Sequence, residues 1–130
     1  MFDFFIYQSY HIWEYNIIME RTILYLIYSP ALRAFKIGIA NISNERYATH
    51  RRKGWILMYY WILPTRRVAK IIEGKVLRTL KYKMPEQYLK KEDVPQNGYT
   101  ECFDSKLISS RVVKKIIERQ IEETIRDLSA

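Results

Sequence analysis

The distribution of apolar and polar residues predicts two short strands near the start of the folded region. Residues 23–28 and 35–39 are rich in β-branched and aromatic side chains, and Ser29, Pro30 and Ala31 stand between the two runs. Short apolar runs separated by turn-forming residues are typical of a β-hairpin. We therefore expect the two segments to pair as antiparallel strands.

A helix and a third strand are predicted next. Ser43 is a suitable N-cap for a helix over residues 44–53, and Gly54 is a suitable stop. Residues 55–63 are too β-branched and aromatic for a helix. They predict a third, largely buried strand that ends at Pro64.

Two longer helices are predicted in the second half of the chain. The first is capped by Thr65 and covers residues 65–81, with one apolar stripe formed by Val68, Ala69, Ile72, Val76, Leu77 and Leu80. The last begins at Asp104 or Ser105 and carries apolar residues at helical spacing: Ile108, Val112, Ile116, Ile117, Ile121, Ile125 and Leu128. In the polar loop between them we expect one helical turn over residues 86–90 and an extended segment over residues 99–103.

The order of these elements indicates an α/β (α+β) fold, in which a small three-stranded antiparallel sheet is flanked by helices and followed by a C-terminal amphipathic helix. A chain of 130 residues, with 48% hydrophobic and 28% charged residues, suits one compact domain. We divide it into an aromatic N-terminal extension over residues 1–21, a central domain over residues 22–103 and the final helix over residues 104–130.

Glu73 is the most unusual position in this pattern. At about 100° per residue it projects between Leu77 and Leu80, within the apolar stripe of its helix. A buried carboxylate is costly unless it has a cation, a metal or a proton, so Glu73 is a candidate site residue. A simpler interpretation stays open, in which Glu73 lies at the edge of the stripe and pairs with Arg66 or another basic residue.

Net charge and cysteine content narrow the classes of function. The 22 Lys and Arg residues exceed the 14 Asp and Glu residues by eight, which favours a polyanionic partner, nucleic acid before a membrane surface. Cys102 is the single cysteine, which excludes an intramolecular disulfide and a cysteine zinc cluster and favours a reducing cytoplasm. The sequence has no run of eighteen apolar residues, so we expect no membrane span.

Five short features occur in a defined order: Ile23-Leu24-Tyr25, Lys36-Ile37-Gly38, Arg46 with His50, Glu73, and Asn97-Gly98-Tyr99. Over about residues 22–103, their order and spacing resemble the GIY-YIG nuclease superfamily. The two name-giving tripeptides read Ile-Leu-Tyr and Lys-Ile-Gly here. A Lys-Ile-Gly followed later by Gly-Tyr-Thr-Glu-Cys-Phe looks like the phage and bacterial subgroup of that superfamily.

The resemblance implies a nuclease domain with a three-stranded antiparallel sheet and a metal-binding glutamate on the helix after the third strand. The family holds one divalent ion there, Mg²⁺ or Mn²⁺, and that role carries over to Glu73. A hard divalent cation keeps most of its waters, so one carboxylate together with the scissile phosphate is enough to hold it.

Phosphodiester cleavage also needs an activated water and stabilisation of the negative charge that develops on the phosphate. The resemblance implies a residue for each of these tasks. Tyr25 matches the tyrosine that positions and deprotonates the water. A phenol has an ordinary pKa of about 10, so it needs nearby cations to act as a base at neutral pH. Arg46 matches the arginine whose planar guanidinium contacts the scissile phosphate. His50 lies one turn later, shares the face of Arg46, and relays a proton or hydrogen-bonds the phosphate.

Lys36 and Glu101 depart from the family pattern. Lys36 stands where the family has its second tyrosine. A charged ammonium group cannot accept a proton, so we expect Lys36 to stabilise a Tyr25 phenolate or the phosphate, or to have its own pKa lowered by the nearby Arg46. Glu101 follows the Gly-Tyr pair, where the family often has an asparagine-type group, and we treat it as a second candidate for a metal or water contact.

Each candidate residue also has a simpler interpretation when it is taken alone. Tyr25 is then a half-buried strand tyrosine, Arg46 a solvated helix arginine and His50 a surface histidine. Gly38 marks a close backbone approach at a strand end, and Asn97-Gly98 marks a turn. Their joint occurrence at the intervals of the family favours a site.

Basic residues are spread over helix ends and loops, where they can hold a phosphate backbone. The residues that we expect to bind nucleic acid are Arg51, Arg52, Lys53, Arg66, Arg67 and Lys70. Such binding weakens with salt and carries little sequence information. Double-stranded DNA is therefore the expected partner, and specificity would come from residues 1–21, the final helix, a homodimer or a separate partner protein.

Two other functions stay open at this point. One is a catalytically silent DNA-binding module with the same fold, which the missing second tyrosine favours. The other is a protein-interaction domain that uses the aromatic residues of the first segment: Phe2, Phe4, Phe5, Tyr7, Tyr10 and Trp13.

Overall fold

The computed structural model describes residues 22–41 and 46–129, and the side chains of residues 46–48 lie outside this description. Its strands are β1 (Thr22–Ser29), β2 (Ala34–Asn41), β3 (Ile56–Leu63) and β4 (Cys102–Asp104). They form one antiparallel sheet in the order β3-β1-β2-β4. The predicted α+β class and antiparallel sheet are confirmed, whereas the prediction of three strands is wrong because β4 adds a fourth.

Three helices accompany the sheet: α1 (Arg46–Arg52), α2 (Arg66–Lys83) and α3 (Ser110–Ser129). Thr65 caps α2 as predicted, because its side chain accepts a hydrogen bond from the backbone N–H of Val68 at 3.1 Å. No helix within the described ranges combines the length and the apolar character that are needed to cross a membrane.

Several predicted boundaries differ from the structure. The helical turn expected over residues 86–90 is a 3-10 turn at Lys91–Asp93, and the segment expected to be extended from residue 99 begins as a second 3-10 turn at Tyr99–Glu101. The last helix starts at Ser110, because Asp104 closes a turn by accepting a hydrogen bond from the Lys106 backbone N–H at 2.9 Å. The expected cap Ser43 and the start of its helix lie outside the described residues.

The main core lies between α2, α3 and one face of the sheet, which we call the helix face. Strand residues that alternate along β1 and β2 point to it, as expected for a pleated sheet. Its fully buried members include Leu24, Leu26, Ile37, Trp61, Leu63, Ala69, Ile72, Val76, Leu80, Ile117 and Ile121. These residues come from strands and helices far apart in the chain, so the helix face joins the whole described region into one core.

The buried stripe of α3 differs from the predicted one. Val113, Ile117, Ile121 and Thr124 are buried, whereas Val112 is 44% exposed and Leu128 is 60% exposed. A stripe of period 3.6 that passes through Ile117 and Ile121 also passes through Val113, which leaves Val112 at the margin.

The prediction that the third strand is largely buried is wrong. Ile56, Leu57, Met58 and Tyr60 are all exposed, although Trp61 and Leu63 are buried. The reason is topological, because β3 pairs with β1 on one side only and lies at the edge of the described sheet. Periodicity identifies a strand but carries no information about its neighbours.

The second face of the sheet, which we call the loop face, is also covered. Tyr25, Ile27, Ala34, Ala40 and Cys102 point to it, and Trp55, Leu89 and Val94 pack on them. Tyr88 ties the covering loop to the β1–β2 turn, since its hydroxyl donates to the backbone oxygen of Leu32 at 2.9 Å. The central strand β1 is therefore buried on both faces.

Replacing Ile72 with alanine should lower the free energy of unfolding by about 2–5 kcal/mol, because the change leaves a cavity in the main core. Ile72 is fully buried on α2 against the helix face. Urea unfolding followed by circular dichroism measures the loss. Val112→Ala on the exposed margin of α3 is the control. If both substitutions lower the free energy of unfolding equally, Ile72 does not pack in the core as described.

Candidate active site

Tyr25 lies on the loop face of β1, directly opposite Gly38 of β2. The tyrosine is only 2% exposed, and its ring lies so close to the Gly38 backbone that a Cβ atom there would overlap the ring and hydroxyl. The close backbone approach predicted at Gly38 is thus present, in the middle of β2 rather than at its end. Glycine is required here because any side chain would push Tyr25 off the sheet.

Lys36 lies on the same face, two residues before Gly38, and is fully buried. Its Nζ atom donates to the backbone oxygen of Ile37 at 3.3 Å and lies 5.5 Å from the centre of the Tyr25 ring. Contact with an electron-rich ring face partly offsets the cost of removing an ammonium group from water. The structure therefore brings Tyr25 and Lys36 together.

A turn at Asn97 and Gly98 closes over Lys36. Both residues have positive φ values, 76° and 99°, which confirms the predicted turn. A Cβ atom on Gly98 would overlap Cε of Lys36, and Nζ would lie only 3.0 Å from it. The glycine thus serves two needs at once, a left-handed backbone and a close approach to the lysine.

His50 belongs to the same cluster and is 1% exposed, so it is a buried residue rather than a surface histidine. Its ring centre lies 6.5 Å from that of Tyr25 and 6.1 Å from that of Trp55, which meets it edge-on. Its Nδ1 atom lies 3.2 Å from the side-chain nitrogen of Gln96. When the Gln96 amide donates to Nδ1, the imidazole proton is on Nε2.

Helix α1 ends shortly after His50, and the geometry of its end accounts for the exposed basic groups there. The backbone oxygen of His50 accepts from Lys53 and Trp55, and Gly54 adopts a φ of 90°. Arg51, Arg52 and Lys53 are exposed on this turn. Arg46 lies on α1 one turn before His50, and its side chain lies outside the described residues.

Glu73 is half-buried on α2, beside the buried stripe of that helix. Lys75 donates to Thr124 of α3 at 3.2 Å, so the Lys75 flank of α2 faces α3. Glu73 is about 200° away around the helix and lies on the opposite flank.

That flank faces the β2 side of the sheet, because α3 covers β3. Trp61 of β3 donates to Glu118 of α3 at 3.4 Å, and the Lys114 ammonium lies 5.0 Å from the ring centre of Tyr59. The described pairing between β2 and β4 ends at Lys36. Beyond Lys36, the outer edge of β2 has no strand beside it among the described residues. Glu73 lies on this side of the sheet.

The other predicted residues lie on α2 and just before β4. Arg66, Arg67 and Lys70 are exposed in the first turns of α2, and Arg66 and Lys70 share the flank of Glu73 by helical spacing. Glu101 is half-buried just before β4, and its carboxylate accepts from the Thr100 hydroxyl at 3.0 Å.

A metal centre built from several protein ligands is not found in the described part of the chain. Those residues contain no group of three or more His, Cys, Asp or Glu side chains that could hold an ion. A single carboxylate such as Glu73 suits a hard divalent ion that keeps most of its waters.

Cys102 pairs with Lys36 across β2 and β4, and its thiol donates to the Gly98 oxygen at 3.3 Å. Burial raises the pKa of this thiol to about 12, and the nearby Lys36 charge, which lowers it, only partly opposes that effect. Cys102 is thus protonated and unreactive at neutral pH.

Sequence reasoning missed the part that Gln96 takes in this cluster. Gln96 stands in a polar loop 46 residues after His50, and neither periodicity nor spacing marks it. The Asn-Gly pair did signal a turn, but the overlap of Gly98 with Lys36 depends on how the loop folds back over β2.

Comparison of this chain with protein-family models, with curated proteins and with solved structures finds no match.

The stability of the protein should fall as the pH rises from the ordinary thiol pKa of 9.0 toward about 12. The unfolded chain releases the Cys102 proton in this range and the folded chain retains it, so stability is fully present below it and is lost at about 1.4 kcal/mol per pH unit. Urea unfolding of the parent protein and of Cys102→Ala between about pH 8 and pH 10 gives the free energy of unfolding at each pH. If this free energy falls equally with pH in both proteins, the prediction is wrong.

Proposed function

We propose that this protein is a metal-dependent DNA endonuclease that hydrolyses phosphodiester bonds with a GIY-YIG-like site. The observation that carries the proposal is the convergence of Tyr25, Lys36 and His50 on the loop face, although they come from β1, β2 and α1. A tyrosine, an ammonium group and an imidazole held together in a desolvated site suit water activation at a phosphate.

Tyr25 and Lys36 act as a pair in this proposal. Tyr25 first releases its phenolic proton to solvent, and the Lys36 ammonium, 5.5 Å from the ring centre, stabilises the phenolate. The phenolate orients the attacking water and takes its proton, which returns Tyr25 to the neutral phenol. Charge stabilisation of this kind is stronger in a water-excluded site than at the surface.

Arg46 and His50 act on the phosphate. Arg46 binds two phosphate oxygens with its guanidinium fork, which suits an anion better than a point charge does. When the Gln96 amide donates to Nδ1 of His50 and the ring proton is on Nε2, His50 donates a hydrogen bond to the phosphate or passes a proton to the leaving oxygen.

Glu73 would hold one Mg²⁺ or Mn²⁺ ion, which supplies charge relief on the phosphate when it is bound. Glu101 is a second candidate for a metal or water contact. The placement of Glu73 on the open β2 side of α2, beside Arg66 and Lys70, supports a position where a carboxylate and a phosphate backbone meet.

The substrate class that the charges favour is double-stranded DNA. The net charge is +8, and Arg51, Arg52 and Lys53 are exposed at the end of the helix that carries His50. Lys and Arg side chains of this kind hold the phosphate backbone without reading its sequence. Specificity would then come from a second copy, a partner protein or the segment before β1.

One observation favours a second candidate function, a catalytically silent DNA-binding module. Tyr25, Lys36 and His50 are each no more than 2% exposed. A phosphate can reach such groups only if the covering loop moves. A module that binds DNA through surface charge alone needs no such movement. The protein-interaction alternative depends on aromatic residues of positions 1–21, which lie outside the described residues.

Plasmid nicking tests the nuclease proposal directly. With Mg²⁺ or Mn²⁺ the parent protein should nick supercoiled DNA, EDTA should stop it, and Glu73→Ala and Arg46→Ala should each lower the rate by on the order of 10²-fold or more. Gel electrophoresis of the plasmid forms measures the rate.

Glu122→Ala, an exposed carboxylate change on α3, is the matched control and should nick as the parent does. A Glu73→Ala protein that nicks at the parental rate would remove Glu73 from the site. A folded parent that binds DNA without nicking it would favour the silent module.

DNA binding should weaken steeply with salt, and Arg52→Ala should lower the slope of log affinity against log salt by about one. Arg52 is exposed on the last turn of α1. Fluorescence anisotropy with a labelled duplex at several salt concentrations gives the slope. Arg126→Ala in the last turn of α3 is the matched control, and equal slopes in both variants would exclude α1 from the DNA surface.

A further inference from the structure

Residues 96–98, which we call the strap, contact two members of the candidate site at once. Gly98 lies against the Lys36 side chain, and the Gln96 side chain lies 3.2 Å from Nδ1 of His50. The strap therefore links β2, which carries Lys36, to α1, which carries His50.

The strap is held on both sides by the loop around it. The Asn97 backbone N–H donates to Val94 at 2.9 Å, and Val94 is fully buried on the loop face. At the end of the strap, the backbone oxygen of Gly98 accepts hydrogen bonds from the Glu101 backbone N–H at 3.1 Å and from the Cys102 thiol at 3.3 Å. Its position relative to the sheet is therefore defined by β4 and by the buried loop.

The effect on Lys36 is steric. A lysine side chain has four rotatable bonds and many rotamers, so a buried ammonium group stays in one position only if neighbouring atoms exclude the other rotamers. The Gly98 backbone forms that boundary, and the Tyr25 ring lies 5.5 Å from Nζ. A methyl group on Gly98 would displace Lys36 from the tyrosine.

The effect on His50 is a hydrogen bond that sets ring orientation and tautomer. The Gln96 amide nitrogen faces Nδ1, and when it donates to Nδ1 the proton of the neutral ring is on Nε2. The partner of one imidazole nitrogen decides which nitrogen can act on a substrate. Loss of the Gln96 amide would remove this constraint on the orientation and tautomer of the ring.

We propose that Gln96 and Gly98 are positioning residues, which hold His50 and Lys36 in the geometry that the reaction at Tyr25 requires. The assignment of a catalytic purpose rests on the proposed nuclease function, whereas the positioning itself is a property of the free protein. Enzyme groups displaced by about 1 Å can lose on the order of 10²-fold in rate, so the strap should affect turnover more than DNA binding.

Gly98→Ala tests the Lys36 half of the proposal, with Gly54→Ala as the matched control. Both glycines have a left-handed backbone, with φ values of 99° and 90°, so both substitutions introduce the same kind of strain. A Cβ atom on Gly54 meets nothing within 4 Å, whereas one on Gly98 meets Lys36. Any difference between the variants therefore reports the contact with Lys36.

The readout is the NMR signal of the Lys36 side chain, which the Tyr25 ring should shift. A Lys36→Met variant identifies the signal. Gly98→Ala should move the Lys36 signal toward the chemical shift of an exposed lysine. It should also lower the maximal nicking rate by roughly 10- to 100-fold, while the DNA concentration that gives half of that rate stays the same. Gly54→Ala should change neither quantity. An unshifted Lys36 signal in a folded Gly98→Ala protein would overturn the proposal.

Gln96→Leu tests the His50 half. The chain has two histidines, so a His11→Gln background leaves His50 as the single imidazole whose ¹⁵N signals are observed. The parent should show the Nε2–H tautomer, and Gln96→Leu should change the ring signals and the tautomer ratio. Gln96→Glu, which offers an acceptor to Nδ1, should move the proton to Nδ1. Identical His50 signals in all three proteins would overturn the proposal.

The two proposals fail in different ways. A parent protein that binds DNA without nicking it would overturn the nuclease function, and the Lys36 and His50 signals would still decide whether the strap positions them. If the parent nicks DNA and both strap variants nick at its maximal rate, the strap has no positioning role.

Discussion

The burial of β1 on both faces is the constraint on which the rest of the structure depends. Leu24, Leu26 and Ile27 are fully buried and Tyr25 nearly so, because β1 pairs with a strand on each side and is covered above and below. A sheet of this kind needs two covering layers. Helices α2 and α3 form one, and α1 with the loop before β4 forms the other.

The second layer explains why chemically active residues lie in a nearly closed site. Tyr25 and Lys36 occupy loop-face positions of central strands, where a polar side chain is stable only if neighbours compensate for the lost water. Gly38 and Gly98 provide the space that the tyrosine ring and the lysine stem occupy. The close packing that removes water from the cluster also keeps the cluster from solvent. The proposed reaction with DNA would therefore require the loop layer to open.

Charge and site chemistry act at different ranges in this protein. The excess of basic residues attracts a polyanion over about a Debye length, roughly 10 Å in ordinary salt, and is carried by exposed groups such as Arg51 and Arg52. In the proposed reaction, bond cleavage would depend on the buried side chains of Tyr25, Lys36 and His50. DNA binding and cleavage should then be separable by substitution, because different residues would carry them.

The sequence alone determined β1, β2, the existence of β3 and of the helices, and the cap at Thr65, because these depend on local periodicity and turn chemistry. It also identified Tyr25, Lys36 and His50, which the fold brings together. Only the tertiary structure decided that β3 lies at the edge, that the extended segment before α3 pairs with β2 as β4, and that Gln96 reaches His50. These features depend on contacts between residues far apart in the chain, which no local pattern encodes.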